Sequence, residues 1–539
     1  MISANLRAEV ISWIEEDPDP KTRNQLQKWL EEDAVSEIES CFQGFLEFGT
    51  AGLRGALGPG PSRMNRAVVT KTALGLGKFM KDRNLRSIVI GRDARYGSED
   101  FTRDTAEIMS GFGFAVYVLP RPLPTPVLAF AVKKLGCDVG VMVTASHNPP
   151  QDNGYKVYLG GRVDGIDYNG SQIISPTDSA ISEEISKAPN LNLAKRGSDW
   201  QIVGEEHIES YITATASLIN PKTQIKIIYT PLHGVGKEVL EKVFARVGLE
   251  VSLVGAQAEP DPDFPTVKFP NPEEPGAIDL SLKLAAEQDA DLVIANDPDA
   301  DRCAIAIKDN GWRMLRGDEV GALLGEYLSN KYQGNLVFAN SIVSSSILGK
   351  IAKAHQVKFQ ETLTGFKYLS KVEGLRFGYE EALGYSVDPD SVNDKDGISA
   401  AAVLAEIAAE RKSTGSSISE MLNEIWAKYG FHGTRQVSIR TSHVEEITKI
   451  MQSFRTNLPN KIGDFKVTKF DDLEHPSDGL PPTNGVRIWL DGQYRVIVRP
   501  SGTEPKVKCY IEVVTENEAA AKPIIDQIEL VFRSLMKVA

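Results

Sequence analysis

The sequence predicts an α/β protein of several units. Two observations carry this: apolar runs of strand length that each end in a polar loop, and helical stretches between them. Ser87-Ile88-Val89-Ile90 precedes Gly91-Arg92-Asp93, and Val139-Gly140-Val141-Met142-Val143 precedes Thr144-Ala145-Ser146-His147-Asn148-Pro149. Ile225 to Tyr229 precedes Thr230-Pro231-Leu232-His233-Gly234, Asp291 to Ala295 precedes Asn296 to Arg302, and Asn335 to Phe338 precedes Ala339-Asn340-Ser341. Helical patterns over Asp318 to Leu328 and Ala400 to Ala408 alternate with such strands, an order that places ligands at the strand ends. With 539 residues the chain exceeds one ordinary core and predicts three to five domains. The polar stretch Ser175 to Gly204 and the break Gly430-Phe431-His432-Gly433 are boundaries.

A net charge of −13 with 25% charged residues argues against a nucleic-acid or anionic-membrane partner, which is bound through clustered positive charge. A small phosphorylated substrate needs only local cations. The four cysteines, Cys41, Cys137, Cys303 and Cys509, have no Cys-x-x-Cys spacing and read as reduced, packed thiols. Together with a glutamate-bearing N-terminal stretch that lacks the apolar core of a signal peptide, and no run of about twenty apolar residues, this leads us to expect a cytoplasmic protein.

Ser146 sits at the exit of a buried-strand candidate, between a histidine and an Asn-Pro pair that discourages helix. A hydroxyl there faces a cleft and could carry a covalent intermediate, although Ser-His-Asn-Pro alone also makes an ordinary turn. Asp297, Asp299 and Asp301 place three carboxylates at alternate positions, a hard-oxygen cluster that a cation would neutralise. A calcium loop of the EF-hand kind needs glycine sixth and glutamate twelfth, where this chain has Arg302 and Lys308, so Mg²⁺ is the expected ion. Taken alone, the segment also reads as a solvated acidic turn.

Arg499-Pro500-Ser501-Gly502-Thr503-Glu504-Pro505-Lys506, behind the apolar run Tyr494 to Val498, joins a planar guanidinium fork to hydroxyls and a glycine, a good phosphate receptor or an ordinary turn. Gly75-Leu76-Gly77-Lys78 is followed by Phe79 and lacks the first loop glycine, so it reads as helix packing rather than a nucleotide loop. Gly378-Tyr379-Glu380-Glu381-Ala382-Leu383-Gly384-Tyr385 offers two adjacent carboxylates that could accept hydrogen bonds from sugar hydroxyls, or could simply be solvated.

Taken in order from Phe48 to Lys506, these segments resemble the α-D-phosphohexomutase superfamily, which includes phosphoglucomutase and phosphomannomutase. The resemblance implies three related α/β domains and a smaller C-terminal α+β domain around a central cleft, over residues 1–204, 205–317, 318–430 and 431–539. It makes the Ser146 segment the phosphoserine loop, with a phosphoryl oxygen on Ser146 joining Asp297, Asp299 and Asp301 as metal ligands. Arg54, in Phe48-Gly49-Thr50-Ala51-Gly52-Leu53-Arg54-Gly55, would reach the transferring phosphoryl group, with Arg302 adding positive charge. Lys156 matches the lysine implicated in proton transfer, a role that burial among other cations would favour by keeping some of it neutral. Lys367, in Thr364-Gly365-Phe366-Lys367, matches a base or phosphate contact, while His147 and His233 take supporting roles. Glu380 and Glu381 would hold the sugar ring, and Arg499, Ser501, Gly502, Thr503 and Lys506 the non-reacting phosphate.

Two departures bear on the sugar. Pro298 and Ala300 stand where many relatives carry glycine, and Ala382 removes an expected serine hydroxyl, as in the subgroup with phosphoglucomutase 2, phosphopentomutase and many bacterial phosphoglucomutases. The implied reaction interconverts glucose 1-phosphate and glucose 6-phosphate through a phosphoserine enzyme, with Mg²⁺ as cofactor and glucose 1,6-bisphosphate as intermediate and activator. Phosphopentomutase and phosphomannomutase share every motif, and a non-catalytic sugar-phosphate binder is the alternative of another class. The expected partner is a small phosphosugar, without nucleic acid or membrane, in a monomer or weak homo-oligomer.

Overall fold

The apolar runs read from the sequence are strands, at Ser87–Arg92, Val139–Val143, Ile227–Thr230, Leu292–Asn296, Val337–Ser341 and Tyr494–Pro500. The two helical patterns lie inside Gly317–Lys331 and Gly397–Ser413. The computed structural model describes residues 1–441, 444–501 and 506–537. It divides into one unit of Met1–Leu315 with Gly384–Thr414, and another of Arg316–Leu383 with Gly415–Ala539. Among the described residues no helix is long and apolar enough to cross a membrane. The four cysteines are free and buried.

The first unit holds two large sheets and a two-stranded ribbon of Arg162–Val163 with Ile166–Asp167. In one, the strands run in the order Leu53–Ala56, Asp152–Leu159, Val139–Val143, Ser87–Arg92, Ala115–Val118, Gln201–Ile202. Ser87–Arg92 is parallel to both neighbours, whereas Asp152–Leu159 turns back antiparallel to Val139–Val143. Leu53–Ala56 pairs antiparallel with it, Arg54 opposite Gly154. Because side chains alternate along a strand, Arg54 therefore shares a face with Lys156, two residues beyond Gly154. The helix Arg66–Asp82 confirms the reading of Gly75 and Gly77: a Cβ on Gly75 would lie 2.5 Å from Ile185, and one on Gly77 2.4 Å from Phe112.

In the other sheet, Val251–Leu253, Ile227–Thr230 and Leu292–Asn296 are parallel, and Cys303–Lys308 returns antiparallel with Asn296 opposite Cys303. Residues 297–302 are thus the tip of a hairpin. Helix Gly397–Ser413 packs against both strands of that hairpin and is buried continuously from Gly397 to Ala409. Apart from Ser399 and Glu406 that stretch is apolar all round, the pattern of a core helix. Asp396 caps it, accepting from the N–H groups of Ile398 and Ser399, both at 3.0 Å. Gly397 admits no side chain, since a Cβ would sit 2.2 Å from the Arg302 carbonyl oxygen.

In the second unit, Lys358–Thr362, Val337–Ser341 and Leu375–Glu380 form a parallel set. A six-stranded antiparallel sheet follows, ordered Phe431–Arg440, Lys506–Thr515, Tyr494–Pro500, Val486–Leu490, Phe465–Asp472, Lys461–Ile462. Helices Val444–Thr456 and Glu518–Leu535 belong to its core, where Phe454 stacks on Phe532 at 5.8 Å. Glu512 accepts from Ser345 Oγ at 2.7 Å and pairs with Arg495 at 2.9 Å and His432 at 2.9 Å, tying the two sheets together. Burial opposes its ionisation, but Arg495 and His432 hold its carboxyl well below the usual range.

Candidate active site

Ser146 has φ +53°, a left-handed conformation that costs a non-glycine residue on the order of 1–3 kcal/mol and is kept only where surroundings enforce it. Its N–H donates to Thr144 Oγ1 at 2.9 Å, and its hydroxyl donates to Asp297 Oδ2 at 2.7 Å, with His147 Nδ1 3.1 Å away. The residue was expected to face a cleft; it is 3% exposed, because Asp297 and His147 close over the hydroxyl.

Asp297, Asp299 and Asp301 are 0%, 0% and 1% exposed, and each offers an oxygen within 4.8 Å of the others. The hairpin tip points all three inward: Ala300 takes φ +54°, Arg302 N–H donates to Asp297 Oδ1 at 3.0 Å, and Pro298 lies against Gly234, where a Cβ would come within 2.3 Å. Asp299 Oδ1 and Asp301 Oδ1 are buried without a hydrogen-bond donor. Three buried carboxylates with oxygens left over are the donor set of a hard divalent cation, so the residues fit a metal. Burial, reinforced by Asp299 and Asp301, pushes Asp297 far above the ordinary carboxylate range. For Asp301 burial acts the same way, but Lys156, Lys395 and Arg302 outweigh it and hold the group ionised.

Lys156 was expected among cations. Instead its ammonium donates to Asp299 Oδ2 at 2.7 Å and Asp301 Oδ2 at 2.8 Å, and these carboxylates overcome burial and raise its pKa. Arg302 Nε lies 3.9 Å from Asp301, and Arg54 Nη1 donates to Asn148 Oδ1 at 3.3 Å. Burial lowers the Arg54 pKa. His147 is held well below its ordinary value, first by burial and then by Arg302 and Arg54, so it is neutral. His233 lies in the loop against the hairpin, its Nε2 2.8 Å from Thr266 Oγ1.

Two members of this cluster escaped the sequence reading. Thr125 donates its hydroxyl to Asp299 Oδ2 at 2.6 Å, and Lys395 Nζ lies 3.4 Å from Asp301 Oδ2. The signal for Lys395 was the charged stretch Asp394-Lys395-Asp396-Gly397 opening an apolar helix. Nothing local marks Thr125.

In the second unit, Glu380 accepts from the Gly365 N–H at 2.6 Å. Glu381 accepts from Ser341 Oγ at 3.2 Å and Ser344 Oγ at 3.0 Å, and burial, followed by Glu380 and Asp318, pushes its carboxyl up to about 7. Lys367 lies in the short helix Phe366–Leu369, its ammonium 5.5 Å from the Tyr368 ring centre. Arg499 donates to Tyr510 Oη at 3.4 Å, and Ser501 N–H donates to the Lys506 carbonyl at 2.8 Å, closing the loop. Gly502 and Thr503 lie outside the described residues.

Four family models match consecutive stretches: phosphoglucomutase/phosphomannomutase alpha/beta/alpha domains I, II and III over residues 46–191, 205–311 and 316–429, and the C-terminal domain over 455–528. The chain belongs to the phosphoglucomutase/phosphomannomutase family. It is therefore a phosphosugar mutase, an enzyme of the isomerase class. A Haemophilus influenzae protein named "Probable phosphomannomutase" is 46% identical over 485 residues, covering 88% of this chain and 98% of its own. Human phosphopentomutase is 35% identical over 571 residues (95% and 92%), and a Staphylococcus haemolyticus phosphoglucomutase 35% over 518 (89% and 92%). In fold, the mutase chain is similar to a Burkholderia thailandensis phosphoglucomutase/phosphomannomutase family protein, with TM-score 0.71, 19% identity, and 91% and 98% of the two chains covered. The three-aspartate cluster of this mutase is a site that could hold a metal.

Proposed function

We propose that this mutase interconverts glucose 1-phosphate and glucose 6-phosphate by way of phospho-Ser146 and a glucose 1,6-bisphosphate intermediate that also serves as activator. The observation that carries this reading is the Ser146 hydroxyl held 2.7 Å from Asp297 inside a buried three-carboxylate cluster, since a sugar-phosphate binder has no use for a nucleophile beside a metal site. Mg²⁺ held by Asp297, Asp299 and Asp301 would supply positive charge against a phosphoryl oxygen. Arg54 and Arg302 bring hydrogen-bonded cations to the same group. Lys156, partnered by Asp299 and Asp301, is poised to give a proton, and becomes able to take one once those carboxylates turn to another cation. Neutral His147 orients the Ser146 hydroxyl.

On this reading Glu380 and Glu381 accept from sugar hydroxyls, while Arg499, Ser501 and Lys506, with Gly502 and Thr503, grip the distant phosphate, and Lys367 adds a phosphate contact. Holding both ends makes the transfer effectively intramolecular. A second reading, mannose phosphates, is favoured by the name of the 46% identical Haemophilus relative. The test is a coupled assay over glucose, mannose and ribose 1-phosphates with the matching bisphosphate supplied, alongside the mass of the protein after exposure to each bisphosphate. Gain of one phosphoryl group at Ser146 with kcat/KM highest for glucose supports the proposal; a higher value for mannose transfers it to the second reading; an unmodified Ser146 during turnover refutes both.

A further inference from the structure

One buried guanidinium underlies the serine loop, reaching its backbone but none of the side chains assigned above a role in the reaction. Arg95, 4% exposed, lies in the loop after the strand Ser87–Arg92. Its Nη2 donates to the carbonyls of Ser146 at 2.6 Å and Asn148 at 2.5 Å, and its Nη1 to those of Pro149 at 2.8 Å and Asp152 at 3.1 Å. Four carbonyls from one seven-residue stretch thus converge on a single planar fork. Asp93, 1% exposed, sits 3.3 Å from Nε, and the Phe264 ring covers the guanidinium at 4.9 Å. Asp93 is fixed in turn by the Arg95 N–H at 3.0 Å and by Ser98 Oγ at 2.8 Å.

The contacts start at the strained residue and run on from it. The carbonyl of Ser146 itself, in its left-handed conformation, is one of the four, and the others fix the chain on through Asp152, where the strand carrying Lys156 begins. A loop whose carbonyls point the same way repels itself electrostatically and would relax by rotating peptide planes. A planar cation with paired donors suppresses that rotation, and an ammonium, a point charge with three donors, cannot satisfy four carbonyls at once.

We propose that Arg95 is a positioning residue for the mutase reaction: it holds the Ser146 hydroxyl in line for phosphoryl transfer by clamping the backbone from Ser146 itself through Asp152. This rests on the phosphoserine reading above. The experiment uses Arg95→Lys in the full chain and reads three quantities: the rate at which radiolabelled hexose bisphosphate phosphorylates Ser146, the kcat and KM of turnover, and the thermal midpoint. Expected are losses of about 100-fold in both the labelling rate and kcat, the scale set by a misplacement of about 1 Å, with KM within about threefold of wild type. A folded Arg95→Lys that labels and turns over at wild-type rates overturns the proposal, as does a loss confined to KM or to the midpoint. If Arg95→Lys does not fold, Asp93→Asn loosens the same fork from behind, and must lower the labelling rate and kcat about tenfold without moving KM, or the proposal fails. Wild-type protein that takes no label on Ser146 would overturn the phosphoserine reading and this proposal together, whereas labelled wild type with an equally labelled variant overturns this proposal alone.

Discussion

The serine and aspartate cluster of the first unit and the glutamate and arginine loops of the second treat charge in opposite ways. In the first, Asp297, Asp299, Asp301 and Lys156 are all 4% exposed or less, and apart from the Ser146 and Thr125 hydroxyls the partners named above are ionised or backbone groups. In the second, Glu380 and Glu381 are half-buried and rest on a backbone N–H and two serine hydroxyls. A buried ionic network is organised before anything binds and tolerates little change, because removing one partner strands another. Neutral hydroxyl contacts can be rearranged at small cost. On the proposed function, fixed chemistry in one unit and adjustable recognition in the other would suit a family whose relatives are named for glucose, mannose and pentose mutases.

The sharpest way to break this comparison is Ser146→Ala. Turnover should fall by at least about 1,000-fold, and phosphoryl uptake from a bisphosphate should vanish, while circular dichroism stays unchanged. Undiminished turnover would dissolve the distinction between the two units. Next comes the metal. Chelation should abolish activity and Mg²⁺ restore it, and Asp299→Asn should raise the Mg²⁺ concentration needed for half-maximal rate at least about tenfold by deleting one formal charge; restoration by Ca²⁺ alone would reinstate the calcium alternative.

Smaller effects should come from the second unit. Arg499→Ala should raise KM for every sugar phosphate alike, by the equivalent of roughly 1.5–3 kcal/mol, as expected for one charge-assisted contact. Glu380→Gln should instead reorder kcat/KM among sugars, since an amide both donates and accepts. The reverse pattern would show the two loops assigned the wrong way round.

The smallest concerns pH. With its carboxyl raised from 4.5 to about 7, Glu381 contributes stability that is full below 4.5 and is lost as pH rises through 7. Glu381→Gln stays neutral throughout, so its unfolding midpoint should match wild type at pH 4 and exceed it at pH 8, and any step in KM near pH 7 should disappear. Equal midpoints at both pH values would show that the carboxylate is solvated.

Much of this was legible because local chemistry signalled it. Strand ends announced Ser146 and Asp297, the triple alternation of aspartates announced a cation site, and Gly75 and Gly77 announced packing by failing the phosphate-loop pattern. What stayed hidden depends on pairing between distant strands. That Lys156 sits among carboxylates follows from its register opposite Met142 beside the metal hairpin, which no window of sequence contains. Lys395 and Arg95 are single cations in polar loops, and only the fold shows that one reaches Asp301 and the other collects four carbonyls. The cover on the serine hydroxyl, which faces a cleft in the sequence reading, was hidden for the same reason: Asp297 is 151 positions away.

Helix Gly397–Ser413 lies within the stretch matched as alpha/beta/alpha domain III, yet it packs into the first unit. During synthesis, domains generally form as they emerge, N-terminal first. Here a nascent chain of 315 residues already contains Ser146 and all three aspartates, but the hairpin that carries the aspartates still lacks the helix that packs against it, and Asp301 still lacks Lys395. The ribosome must deliver the sixty-eight residues Arg316–Leu383, which belong to the other unit, before the missing piece arrives. The cluster of acidic groups therefore becomes whole only late in translation, after the first segment of the other unit has been made.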